Sequence, residues 1–236
     1  MKYKIFFIII TLFFVNFVCA EIENFEKWSN LFKEKEVVKS LGIVMDQEVF
    51  SAPEIKKTKA PEIGIYWLVV NLSSVAKNAI KEETKQNISF ISVPVIQSKM
   101  TFPGDLEIGT KFIPFGLFPG VQTIGLRVKY NWKYKNLFLG SLITNFNILK
   151  TNWNWEISNF SCKGTIGKKL NIFTPYIGIG FIRTSPLLKT FMSKTIVSAQ
   201  DYLFIAGLKI ECFSNFDLLL QANNQSFGTG INFKFQ

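Results

Sequence analysis

The stretch Val121-Gln-Thr-Ile-Gly-Leu-Arg-Val-Lys-Tyr-Asn-Trp132 decides how the rest of the chain is read. Ile124, Leu126, Val128, Tyr130 and Trp132 share one parity, and Thr123, Gly125, Arg127, Lys129 and Asn131 share the other. A strand sends successive side chains to opposite faces, so this segment has one apolar face that ends in aromatics and one charged or small face. Two environments match such a strand: the wall of a soluble sandwich, or a wall with lipid outside and a watery lumen inside.

The same alternation recurs down the chain. Leu106, Ile108, Thr110 and Phe112 oppose Glu107, Gly109 and Lys111, and Tyr202, Phe204, Ala206, Leu208 and Ile210 oppose Gly207, Lys209 and Glu211. At the carboxyl end Phe227, Thr229, Ile231, Phe233 and Phe235 oppose Ser226, Gly228, Gly230, Asn232 and Lys234. Further strands read over Ile63–Leu72, Ile88–Met100, Leu137–Leu149, Trp153–Ile166, Phe173–Ile182 and Phe216–Ala222, while Arg183–Ala199 reads as a long loop, with a strand around Leu188–Val197 as the alternative. Pro94 cannot donate to a ladder and predicts a bulge or weak pairing. Trp153, Trp155 and Ile157 are odd where Phe160, Cys162 and Ile166 are even, which predicts a bulge near Ser158-Asn159. Gly178 and Gly180 on one face predict a close approach across a narrow lumen or a tight bend.

An export signal precedes the strands. Lys2 and Lys4 form a basic start, Ile5–Phe14 an apolar run, and Val18-Cys19-Ala20 a cleavage site ahead of Glu21. The alternatives are a single membrane anchor, or lipidation at Cys19, which the bulky Asn16-Phe17-Val18 argues against. No run after Ala20 approaches the ~20 apolar residues of a spanning helix. A mature chain seated in a membrane must then close as a barrel, because only helices and barrels satisfy every backbone donor and acceptor there.

Glu21–Leu41 is different in kind. Phe25, Trp28, Leu31, Phe32, Val38 and Leu41 recur at helical spacing, and Gly42 supplies a stop. A barrel of this size is narrow, so the expectation is a helix on the periplasmic end or the membrane surface, not a plug in the lumen. Met45–Pro61 reads as a linker, and the polar Asn78–Asn87 as an exposed loop. The parts are thus a signal over 1–20, helix and linker over 21–61, and barrel over 62–236.

The chain has 236 residues, 48% of them hydrophobic and 25 of them Phe, a load that a large core or membrane interfaces must house. Net charge is +10, and removing Lys2 and Lys4 leaves +8 because residues 1–20 hold no acid. The lysines are dispersed, so lipid head groups, surface polymers or small anionic solutes fit better as partners than nucleic acid. Cys162 and Cys212 stand far apart, either paired by export or left as two thiols on apolar faces.

Signal, alternating strands and a terminal aromatic strand together resemble small bacterial outer-membrane β-barrels. The terminal strand, which departs only in having Gln236 after Phe235, implies recognition by the barrel-assembly machinery. Val93-Pro94-Val95-Ile96-Gln97, Pro103-Gly104-Asp105-Leu106 and Phe112-Ile113-Pro114 also resemble the transporter-type barrels of the long-chain fatty-acid channel kind, as does a helix ahead of the strands. A chain this short cannot build that family's larger barrel, and no ligand residues are carried over from it. The expected fold is an all-β antiparallel transmembrane barrel of about ten strands, or eight, bacterial barrels having even numbers.

The chemistry is defined mainly by what is missing. There is no histidine, which removes Ser-His and Cys-His nucleophile arrangements and the commonest metal ligand. No zinc motif or phosphate loop is present, so no enzyme, cofactor or metal is expected. The charges placed on the lumen face are Glu107, Lys111, Arg127, Lys129, Lys209 and Glu211. They read either as a constriction that sorts solutes by sign or as a salt-bridge network that closes the barrel. Three roles follow: a passive pore or small-molecule conduit, a closed barrel whose loops bind host or surface polymers, or a soluble exported sandwich.

Overall fold

A computed structural model describes residues 31, 33–46, 52–55, 61–114, 121–135, 137–151, 156–186 and 197–235. Ten strands follow one another around a closed antiparallel barrel: β1 (Glu62–Asn71), β2 (Phe90–Phe102), β3 (Leu106–Pro114), β4 (Val121–Tyr134), β5 (Phe138–Thr151), β6 (Glu156–Gly167), β7 (Phe173–Pro186), β8 (Ala199–Phe213), β9 (Phe216–Asn223) and β10 (Ser226–Lys234), with β10 pairing back onto β1. The closure runs from Glu62↔Lys234 to Val70↔Ser226. A closed wall leaves no free edge strand, and the sandwich alternative is thereby excluded.

Parity holds around the wall. In β4, Ile124 is 59% and Leu126 51% exposed, while Arg127 is 1% and Lys129 0% exposed. The exterior is a continuous apolar belt, and it is ringed at one end by exposed Tyr130, Trp132, Tyr134, Phe138, Phe173 and Phe213. An apolar belt edged by aromatics matches a bilayer and its interface. The two ends of the wall differ. Connections 103–105, 135–137, 168–172 and 214–215 are short and lie at the end where β1 begins and β10 finishes. The opposite end carries the longest connections, 72–89 and 187–198.

Two inward tyrosines lie flat on glycines of the neighbouring strand. Tyr66 covers Gly228 and Gly230, and Tyr176 covers Gly207, so a Cβ at any of these positions would strike the ring. Tyr176 Oη donates to Gln221 Oε1 at 2.9 Å.

The structure corrects the sequence reading at several places. β6 runs in continuous register against both neighbours through Ile148↔Ser158 and Asn147↔Asn159, with no bulge. Ile157 is simply an apolar residue facing inward, 0% exposed; Trp153 and Trp155 lie outside the described residues. β1 and β2 likewise pair without a bulge through Trp67↔Pro94. The weakness at Pro94 falls on its other side: the β2–β3 ladder stops at Ile96↔Phe112, and one more pair of steps would set Pro94 against Pro114. Neither proline has an N–H, so the ladder has no donor to continue with at that step.

The segment expected as a loop at Asn78–Asn87 is mostly helix α2 (Ser74–Thr84), lying after α1 (Lys35–Asp46) in chain order. Ser73 caps α2 by accepting from Ala76 N at 3.2 Å, and Lys85 ends it in a left-handed conformation. Ala76 and Ile80, four apart, are its buried stripe.

The largest correction concerns α1. It passes straight through Gly42 and extends to Asp46, and it is buried on nearly all sides: Val37, Val38 and every residue from Ser40 to Asp46. It is therefore a plug inside the lumen and not a helix lying on the outside. The run Leu41-Gly42-Ile43-Val44-Met45 is apolar all round, a pattern that belongs to a buried helix. The lumen has room because the seat is tailored: a Cβ on Gly42 would collide with the side chains of Thr184 and Asn159. The part of the expected helix over 21–30 lies outside the described residues.

Candidate functional site

The lumen has two halves. Toward the long connections, Leu68, Val70, Val93, Val95, Ile113, Leu149, Ile157, Ile182, Leu203 and Ile205 point inward from seven strands, and pack with α1 and the apolar stripe of α2 into one cluster. Toward the short turns the inward residues are mostly polar, with Ile143, between Lys129 and Lys163, as an apolar exception. A charged wall there can grip a polar strand of chain.

Glu107, 0% exposed, is the hub of that polar half. Its carboxylate accepts from Asn131 Nδ2 at 2.8 Å and Lys99 Nζ at 3.2 Å, with Arg127 Nη1 at 3.7 Å and Lys129 Nζ at 3.9 Å. Lys99 also reaches Glu62 at 3.6 Å and Glu54 at 3.9 Å. On the other side Lys209 pairs with Glu54 at 2.6 Å, Asp217 at 3.3 Å and Glu211 at 3.4 Å. Asp217 in turn holds Lys234 at 2.8 Å. Buried charges are tolerated only when paired and hydrogen-bonded, and this network pairs Glu54, Glu62, Glu107, Glu211 and Asp217 with Lys99, Arg127, Lys129, Lys209 and Lys234.

Of the six charges expected on the lumen face, the structure brings Glu107, Arg127, Lys129, Lys209 and Glu211 into this one network. Lys111 is buried beside it and serves another partner, donating to the Met45 carbonyl at the end of α1. Glu211 sits half-buried at the rim, where Lys169, on the 168–172 turn, holds it at 2.8 Å.

Sequence reasoning missed the residues of the plug that the wall grips. Asp46, 0% exposed, takes Lys163 Nζ at 2.7 Å, Asn145 Nδ2 at 3.2 Å and the Ser161 hydroxyl. Asn159 Nδ2 donates to Gly42 O at 3.2 Å. Farther along, a strap over 52–55 crosses the polar half. Lys129 Nζ donates to Ala52 O at 2.6 Å, Asn131 Oδ1 accepts from Glu54 N at 3.2 Å, and Glu54 bridges Lys209 and Lys99. The one signal in the sequence was the unbroken apolar run Leu41-Gly42-Ile43-Val44-Met45, which no surface helix would carry; nothing local marks Glu54.

Cys162 and Cys212 are unpaired, the first half-buried and the second exposed. Among the described residues no cluster of three His, Cys, Asp or Glu could hold a metal ion.

A closed barrel with an oily exterior, a polar lumen half and a plug drawn from its own chain is a transmembrane β-barrel of the small outer-membrane kind. Solved structures carry the same fold. An outer-membrane channel from Pseudomonas putida F1 superposes over 80% of this chain and 100% of its own, at 7% identity and a TM-score of 0.52. The β domain of the Bordetella autotransporter BrkA (10% identity, 75% of this chain and 99% of that one, TM-score 0.47) and the KdgM porin (8%, 74% and 99%, TM-score 0.39) are more distant. At such identities the likeness is one of fold alone. No protein-family profile matches the chain, and no curated protein matches it in sequence.

Proposed function

We propose that the protein is a non-catalytic conduit for small solutes in the bacterial outer membrane, held closed by its own amino-terminal segment. The observation that carries this reading is the polar lumen wall: Lys99, Arg127, Lys129, Asn145, Asn147, Asn159, Lys163 and Lys209 all point inward from the wall. A barrel that was only a membrane anchor would be stabilised as well or better by an apolar interior, since buried ion pairs repay their desolvation poorly. A wall that is hydrophilic beneath a removable plug suits water and solutes once the plug gives way.

Magnitudes decide which part of the plug can move. Val37, Val38, Leu41, Ile43, Val44 and Met45 are each buried, and each contributes about 1.5–3 kcal/mol, so undocking α1 costs on the order of 10 kcal/mol or more. The 52–55 strap buries only Ala52 and Pro53 and is otherwise held by polar contacts, each with a net worth of about 0.5–3 kcal/mol. The resting state is therefore closed. Export with cleavage after Ala20, insertion by the assembly machinery through β10, and a lipid-covered belt complete this reading.

Planar-bilayer conductance tests it. The exported full chain should be almost silent. A chain lacking residues 21–55, and the full chain with Gly42→Leu driving α1 against Thr184 and Asn159, should both pass ions. Both must first show the heat-modifiable gel mobility of a folded barrel. Folded barrels with the plug removed or displaced that still pass no current would overturn the proposal.

A further inference from the structure

The direction in which the plug threads the barrel has a consequence for which side of the membrane the amino terminus reaches. Lys39, in the first half of α1, pairs with Asp201 at 3.3 Å. Asp201 stands at the start of β8, beside the long-connection end. Gly42 then meets Thr184 and Asn159, each within three residues of the strand end at the same mouth. Asp46 is held by Asn145, Ser161 and Lys163 at mid-strand. Ala52 and Glu54 reach Lys129 and Lys209, near the short-turn end, where Glu62 begins β1. The chain thus runs the length of its own lumen, entering at the mouth with the long connections and leaving at the mouth with the short turns. At the entrance Lys33, Glu34 and Lys35 are exposed, just after Leu31, which is buried in the apolar cluster with Ala76 and Ile80 of α2.

Outer-membrane barrels keep short turns in the periplasm and long loops outside. We infer that Leu31–Lys35 opens onto the cell exterior, so the exported chain crosses the membrane once through the lumen, outside to inside, before the wall begins, and delivers whatever precedes Leu31 to the cell surface. The threading is fixed at several points along its length, by the Lys39 pair, the Asp46 cluster and the Glu54 pair, so it is part of the fold. The consequence is a surface-presented amino terminus on a barrel whose carboxyl strand faces the periplasm: Lys234 sits at the short-turn end with Glu62. The inference rests on the outer-membrane reading above, and its test separates the two.

Single cysteines at Lys33, at Asn224 in the long-connection mouth, and at Lys168 in the short-turn mouth, each exposed, are placed in a chain whose own Cys162 and Cys212 are changed to Ser. Intact cells are treated with a membrane-impermeant maleimide, before and after the outer membrane is disrupted. The expected result is that Lys33→Cys and Asn224→Cys label at once and Lys168→Cys labels only after disruption, a difference of at least tenfold in labelled fraction. Labelling of Asn224→Cys with Lys33→Cys protected until disruption overturns the inference and leaves the membrane reading intact. Labelling of Lys168→Cys alone overturns the orientation on which it stands, and equal labelling of all three in intact cells overturns the membrane reading itself.

Discussion

Replacing Asp46 with Ala is the sharpest probe of how the plug is seated. The carboxylate is fully buried and takes Lys163 at 2.7 Å, Asn145 at 3.2 Å and the Ser161 hydroxyl. Lys163 is 2% exposed and also donates to the Asp46 carbonyl at 3.0 Å. Removing the carboxylate therefore takes the 2.7 Å ion-pair partner from a buried ammonium, a loss of about 3–5 kcal/mol. The wall strands β5 and β6 keep their ladders, so the loss falls on plug docking. At about 1.4 kcal/mol per decade, the undocked population should rise roughly one hundred- to four thousand-fold. Docking by α1's apolar side chains, on the order of 10 kcal/mol, keeps the plug seated most of the time even so. Amide hydrogen exchange reads this directly. The segment 35–46 should exchange faster by that factor in Asp46→Ala, while the peptides of β5 and β6 stay at the rate of the unaltered protein. The Lys163→Ala change should have a comparable effect, and the double change should cost less than the sum by about 0.5–3 kcal/mol, because it leaves no orphaned charge. Unaltered exchange over 35–46 in folded Asp46→Ala protein would show that the reasoning about this cluster is wrong.

Two further outcomes are expected. Leu126, outward and mid-strand, should cost about 2–4 kcal/mol when changed to Arg, measured by urea unfolding from lipid vesicles; a cost below about 1 kcal/mol would mean that this face does not meet hydrocarbon. Within β2, the peptide over 90–95 should exchange its amides faster than the peptide over 97–102, because the ladder to β3 ends at Ile96↔Phe112; equal protection would show the Pro94–Pro114 seam to be closed.

The alternation in β4, β8 and β10, and the turn chemistry between strands, were enough to specify which residues face out, because a period of two is a local property and a lipid belt accepts any apolar residue. The ten-strand count followed from the same signal together with the even-number rule for bacterial barrels. It failed where the rule "apolar means outward" met an apolar lumen: parity alone required a bulge at Ile157 because strand alternation cannot show that α1's Val and Ile side chains wait inside. α2 escaped notice because its buried stripe is only Ala76 and Ile80, too few to mark a helix against a polar background. The lumen charges Glu107, Arg127, Lys129 and Lys209 could be placed on one face from parity, but not paired. Glu107 and Lys129 are cross-strand neighbours in β3 and β4, whereas Glu54 and Lys209 are far apart along the chain and meet only because the plug threads the barrel. Side-chain direction is written into each strand by its own residues; which element fills a closed wall, and from which end it enters, is settled only when ten strands have curled around it.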